Sequence, residues 1–246
     1  MTENKYSKIL VLGAGPVVIG SSSEYDYSAV SVCRALKEEG ISVVSVNSNP
    51  DTIMTDKNVA DTVYIEPLNG ETVKKIIEKE IPDAIIGTTG GEAGLEICLE
   101  LLQNGYLDEH GTKLLGVKPE TIKAIRNEQA LRDTLANVGE PYVSAKVLPT
   151  DAECVTFAGE IGFPVLISPA FTPDFSEPIR CENADDILSG FGSCAERSLV
   201  NEVYVRKCVD DYKEVEFVAM RDSFGNCISV SSTENIDSVG IHSGDS

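Results

Sequence analysis

The stretch KILVLGAGPVVIG, residues 8–20, decides the fold class. KILVLG (8–13) is a continuous apolar run closed by glycines, the pattern of a strand buried on both faces, as in a parallel sheet. Outward from it, Ala29, Val30, Val32, Cys33 and Leu36 recur at helical spacing up to Gly40, a C′ glycine, and SVVSV (42–46) is a second strand. Val73, Ile76 and Ile77 mark a helix, Asp83 to Gly87 a strand, Leu95, Cys98, Leu99 and Leu102 a helix, and LLGV (114–117) a strand. Strands alternating with helices predict βαβ units and a small doubly wound, mostly parallel sheet over residues 1–117.

The texture changes at Lys118. Pro119 suits a first helical position, and Ile122, Ile125 and Leu135 give one apolar stripe up to Gly139. Thr150-Asp-Ala-Glu153 is a capping box opening a short helix that contains Val155, Ala158 and Ile161. Strand-like runs at 164–168, 202–206, 214–220 and 226–231 predict an α+β second part, 118–246, with a mostly antiparallel sheet. The sequence finishes at GIHSGDS, a pattern that reads as a cut inside a domain.

Among 246 residues, 40 are acidic and 20 basic, a net charge of -20 with a pI near 4.4. A field of that sign repels polyanions and anionic lipid, so nucleic acid and membrane surfaces are excluded as partners. No apolar signal segment or membrane span is present. The seven cysteines are scattered and form no CxxC pair, and they read as reduced thiols in a cytoplasm. Two histidines, His110 and His242, leave few candidates for a nucleophile and base pair or a histidine metal site.

Gly13-Ala-Gly15 after the first strand invites a dinucleotide reading, in which glycines let backbone approach a pyrophosphate. The third glycine of that motif falls on Val18, and Asn47 and Asn49 stand where an acidic ribose ligand belongs, so the match is poor. A tight strand-to-helix turn explains the glycines equally well. Asn47 to Asp56 and Thr88-Thr-Gly90-Gly91-Glu92 lie at the carboxyl ends of strands, where open parallel sheets place ligands. Asn, Ser and Asp also build turns through local hydrogen bonds, so each loop reads equally as an anion nest or as plain connection.

GAGPVVIGSSSEYDYS (13–28), VNSNPDTIMTD (46–56), YIEP (64–67) and TGGEAGLEICLEL (89–101) resemble the pre-ATP-grasp domain of the carbamoyl-phosphate synthetase large subunit. GFPVLISPAFT (162–172), DYKEVEFVAMRD (211–222) and ENIDSVGIHSGDS (234–246) are similar to that family's first ATP-grasp domain. The resemblance implies a ligase of pyrimidine and arginine biosynthesis in which MgATP phosphorylates bicarbonate. It implies ATP and Mg²⁺ as cofactors, and the remaining large-chain segments and a glutaminase small subunit as partners.

Residue by residue, the resemblance carries over Val209 as the hinge whose backbone meets adenine and Glu214 as the carboxylate for the ribose hydroxyls. It also carries over Gly240, Ile241 and His242 as contacts to ATP and its phosphorylated intermediate, His242 being the catalytic candidate. The family's Gln, Glu and Asn metal ligands fall beyond Ser246, so no metal site is assigned. Other positions depart: Glu128 and Ser168 stand for arginines, Lys207 for an acid, and Pro173 to Arg180 for a glycine-rich phosphate loop. That loop has no glycine and brings Asp174 and Glu177 toward a polyanion. Two readings follow: a section of the enzyme that works with the rest of the large chain, and a catalytically dead relative acting as a binding module. Strand edges left open near residues 226–231 predict self-association or a partner.

Overall fold

The computed structural model describes residues 5–16, 23–126, 128–170, 178–198, 200–222, 224–236 and 239. These form two compact units, divided between Leu131 and Arg132.

The first unit contains β1 (Lys8–Leu12), α1 (Ser23–Glu38), β2 (Ser42–Asn47), β3 (Thr62–Ile65), α2 (Gly70–Glu80), β4 (Ala84–Ile86), α3 (Gly91–Gln103), α4 (Tyr106–Glu109), β5 (Lys113–Leu115) and α5 (Pro119–Arg126). The strands form one parallel sheet in the order β3-β2-β1-β4-β5, the doubly wound arrangement expected from the sequence. Strand alternation in β1 divides the interior in two. Leu10 and Leu12 enter one core with Val73, Ile77, Ile97 and Leu101, while Ile9 and Val11 enter the other with Ala29, Cys33 and Met54. Because both faces are covered, Ile9 to Leu12 of β1 read as an unbroken apolar run in the sequence, and β2 as one interrupted at Ser45. One polar atom within the sheet is orphaned: the buried Ser45 hydroxyl has no hydrogen-bond partner among the described residues.

Helix α6 (Glu128–Val138) follows α5, so the single stripe seen between Ile122 and Leu135 is carried by two helices. The second unit then comprises β6 (Ala145–Leu148), α7 (Asp151–Ile161), β7 (Val165–Pro169), β8 (Ile179–Cys181), α8 (Ala184–Arg197), β9 (Val203–Lys207), β10 (Val215–Arg221) and β11 (Cys227–Glu234). Four strands form an antiparallel sheet in the order β6-β9-β7-β8. Val165, Ile167, Val203 and Val205 turn one face of it onto α7 and α8, around Cys154, Ala158, Ile187 and Cys194. The Thr150 hydroxyl accepts from the Glu153 N–H, capping α7, and Asn183 and Asp186 form a complete capping box at α8. Strands β10 and β11 make a separate antiparallel hairpin in which every strand residue is exposed, Phe217 at 70% and Met220 at 60% among them.

No helix among the described residues is long and apolar enough to cross a membrane. All seven cysteines are free thiols, and only Cys227 is exposed.

Candidate functional site

In the first unit, the carboxyl ends of β1, β2 and β4 converge where ligands sit in open parallel sheets. Their polar groups are already paired with one another. Asn47, buried at the end of β2, accepts from the Gly15 N–H at 2.9 Å and donates to the Thr52 hydroxyl at 3.3 Å. Thr89 donates to the Leu12 carbonyl at 2.8 Å, and Asp26 of α1 accepts the N–H groups of Ile53 and Met54. The glycines are there for close approach: a Cβ on Gly13 would stand 2.6 Å from Asn47 Cγ, and one on Gly94 would collide with the Gly87 carbonyl. Of the two sequence readings, the described residues support the strand-to-helix turn, with Asn47 filling the space above Gly13.

The second unit is different. The face of its sheet turned away from α7 and α8 carries Ala145, Leu166, Tyr204 and Arg206, and with Pro141, Tyr142, Val143, Lys207, Val209 and Val239 they line a cleft of about 400 Å³. That volume is in the range of small-molecule sites. Apart from Arg206 and Lys207 the walls are apolar and aromatic, and among the described residues no carboxylate lines them. Lys207 has turned away, its ammonium donating to the carbonyls of Gly162 at 2.8 Å and Phe163 at 3.4 Å. Past the end of β9, the Val209 carbonyl accepts from the Tyr212 N–H at 2.9 Å, while the Val209 N–H has no acceptor among the described residues.

Beside the cleft, Arg180 of β8 ties the strand to the segment after β9. Its Nε donates to Glu182 at 2.7 Å, and one of its terminal nitrogens meets the Cys208 sulfur at 3.1 Å and pairs with Asp210. The Cys208 thiol donates to Asp210 in turn, at 2.8 Å. Arg180 is thereby engaged on the flank of Val209 through two of its three nitrogens.

Of the residues carried over from the sequence, Val209 lines the cleft. Glu214 is half-buried just before β10, its carbonyl accepting from the Asn235 N–H at 3.0 Å, and its side chain is not part of the lining. Gly240, Ile241 and His242 lie outside the described residues, as does the loop from Pro173 to Glu177. Ser168 is half-buried on β7, and Glu128 belongs to α6. The cleft residues that the sequence reading passed over are Tyr142, Leu166, Tyr204 and Arg206. For Tyr204 and Arg206 a signal exists in VYVRK (203–207), where alternation with the inward Val203 and Val205 sends them to the opposite face.

Residues 5–124 match the carbamoyl phosphate synthase preATP-grasp domain, and residues 127–246 match the carbamoyl-phosphate synthase L chain ATP binding domain. The chain belongs to the carbamoyl-phosphate synthase large-chain family. The large chain of Agathobacter rectalis is 47% identical over 243 residues, which are 99% of this chain and 23% of that protein. That of Clostridium perfringens strain 13 is 45% identical over 240 residues, 97% of this chain and 22% of the relative. The chain thus spans about a quarter of the length of these large chains.

In fold it is similar to the biotin carboxylase domain of Hydrogenobacter thermophilus 2-oxoglutarate carboxylase, solved with MgADP, ADP and bicarbonate. The TM-score is 0.72 at 20% identity, covering 93% of this chain and 50% of that one. Campylobacter jejuni biotin carboxylase, in complex with a nucleotide, gives 0.71 at 20% identity, over 94% and 51%. The cleft lies wholly within the segment that matches the ATP binding domain. Among the described residues no group of three or more His, Cys, Asp or Glu side chains is placed to hold a metal ion, and the cleft walls do not fit Mg²⁺.

Proposed function

We propose that this chain is the nucleotide-holding section of a carbamoyl-phosphate synthase large chain, that it takes an adenine nucleotide in the cleft of the second unit, and that by itself it does not phosphorylate bicarbonate. The observation that carries the first part is the Val209 N–H, without an acceptor among the described residues, on a residue that lines a largely apolar and aromatic cleft inside the ATP-binding segment. Flat apolar walls accept a heterocycle, and a single backbone donor at the rim fixes its edge.

The second part follows from charge. Phosphoryl transfer depends on donors and cations arranged around the transferring group. Here Ser168 offers a hydroxyl in place of a guanidinium, the Lys207 ammonium is bound to two carbonyls, and Asp174 and Glu177 add negative charge in the loop sequence. On this reading the remaining large-chain segments and a glutaminase subunit are the partners that complete the enzyme. The test is calorimetry with ATP beside a coupled ADP-release assay with and without bicarbonate. The expected result is nucleotide binding without bicarbonate-stimulated turnover. Turnover near one per second, lost in His242→Asn, would show that the chain is a working kinase of bicarbonate with His242 as its catalytic group.

A second reading, a binding module without catalysis, is favoured by the β10–β11 hairpin, whose apolar side chains have no covering element among the described residues.

A further inference from the structure

We propose that Arg206 is the residue that binds a phosphate of the ligand in the cleft, making the site selective for nucleotides over nucleosides. The assignment rests on the nucleotide reading above and adds to it the group that recognises the anion.

Four observations converge. Strand alternation in β9 sends Val203 and Val205 into the core and leaves Arg206 on the open face, where it lines the cleft. The only other charged residue in the lining is Lys207, and its ammonium is bound to the Gly162 and Phe163 carbonyls, so among the described residues Arg206 is the cation left to the cleft. Arg206 has no ion pair or hydrogen bond from its side chain among the described residues. In contrast, Arg180, in the same row across the sheet through Leu166, is engaged by Glu182 and Asp210. A guanidinium left unpaired in a molecule of net charge -20 is unexpected, because carboxylates outnumber cations two to one. Finally, Lys207 and Cys208 stand between Arg206 and Val209, and β9 ends at Lys207, so the two backbones are at most about 10 Å apart. Both line the cleft and offer different donors: a single N–H suited to a ring edge at Val209, and at Arg206 five N–H donors in a planar fork, which reward an anion.

The alternative, in which Arg206 reads the base, makes a different prediction: a guanidinium hydrogen-bonded to a ring carbonyl would favour an oxopurine over an aminopurine and would leave the nucleoside as strong a ligand as the nucleotide.

The experiment is calorimetry at low ionic strength with adenosine, AMP and IMP on the 246-residue chain and its Arg206→Met and Arg206→Lys variants. In the parent, AMP should bind about ten- to a hundredfold more tightly than adenosine, the range of a charge-assisted contact. Arg206→Met should bring AMP down to adenosine while leaving adenosine unchanged, and Arg206→Lys should keep part of the gain. Equal affinities for adenosine and AMP in the parent would overturn the assignment and leave the cleft reading standing. The assignment is equally overturned if Arg206→Met weakens both ligands alike, or if a preference for IMP over AMP disappears in that variant. Absence of binding by all three ligands would overturn the cleft reading itself, and the assignment with it.

Discussion

The carboxyl edge of the parallel sheet and the open face of the antiparallel sheet make an instructive pair. The edge is rich in the residues that suggest a ligand site: glycines after a strand, asparagines and threonines in loops, a further glycine pair opening a helix. Yet Asn47, Thr52, Thr89 and Asp26 satisfy one another and the surrounding backbone, and the glycines there let chain segments touch. The open face is plain by comparison, a few aliphatic and tyrosine side chains around one arginine, and it is where, among the described residues, the Val209 N–H and the Arg206 guanidinium have no partner. Polar composition marks where hydrogen bonds are needed. A ligand site is marked by those that the protein itself does not complete.

The comparison can be broken from the side of the first unit. The largest effect expected is that of Gly94→Ala, whose methyl would collide with the Gly87 carbonyl. The atoms that the methyl meets are all backbone, so the β4–α3 packing must shift, at a cost of about 3 kcal/mol. Urea unfolding should show this while AMP affinity in the cleft is unchanged. Next, Asn47→Ala leaves the buried Gly15 N–H without its acceptor and should cost about 2 kcal/mol. If that variant lost nucleotide binding while remaining folded, the edge of the parallel sheet would be a ligand site after all and the contrast would fail.

The smallest effect concerns the opposite edge of the same sheet. There the hydroxyl of Ser7 and then the N–H groups of Ser7 and Lys8 hold the Asp83 carboxyl below the usual aspartate range. A carboxyl depressed in the folded state contributes stability that is present above its unfolded value, near pH 4, and is lost as pH falls through the folded value. Asp83→Asn should therefore lower the urea midpoint slightly at pH 7, and the gap from the parent should close below about pH 4. A gap independent of pH would mean that the hydrogen bonds matter and the charge does not.

The legibility of the sequence follows the same division. Strands β1 and β2 stand out because burial on both faces demands apolar residues at consecutive positions, and α2 because Val73, Ile76 and Ile77 fall on one face. Strand β8 is only three residues long, with Ile179 and Arg180 on the outside, and β6 carries an exposed Lys146 in a run of four, so neither has a period to detect. Helix α8 hides its stripe because Gly190 and Cys194 fill buried positions where larger apolar residues would have signalled. At the cleft, the outward placement of Arg206 can be read from the alternation of β9. That it lacks a partner among the described residues, whereas Arg180 has Glu182, Cys208 and Asp210, depends on which strands pair, and no local pattern records that.

The distribution of thiols gives the chain a chemical clock. Six of its seven cysteines are buried, and burial pushes Cys98 and Cys154 up to about 12, so their thiolates are scarce at neutral pH. Cys227, at the start of β11, is the exception. A brief exposure to maleimide would tag that strand alone, placing a fluorophore or spin label on the hairpin without any engineered residue. The later, slower uptake of reagent would time the opening of each unit separately, Cys33 and Cys98 reporting the first and Cys154, Cys181 and Cys194 the second.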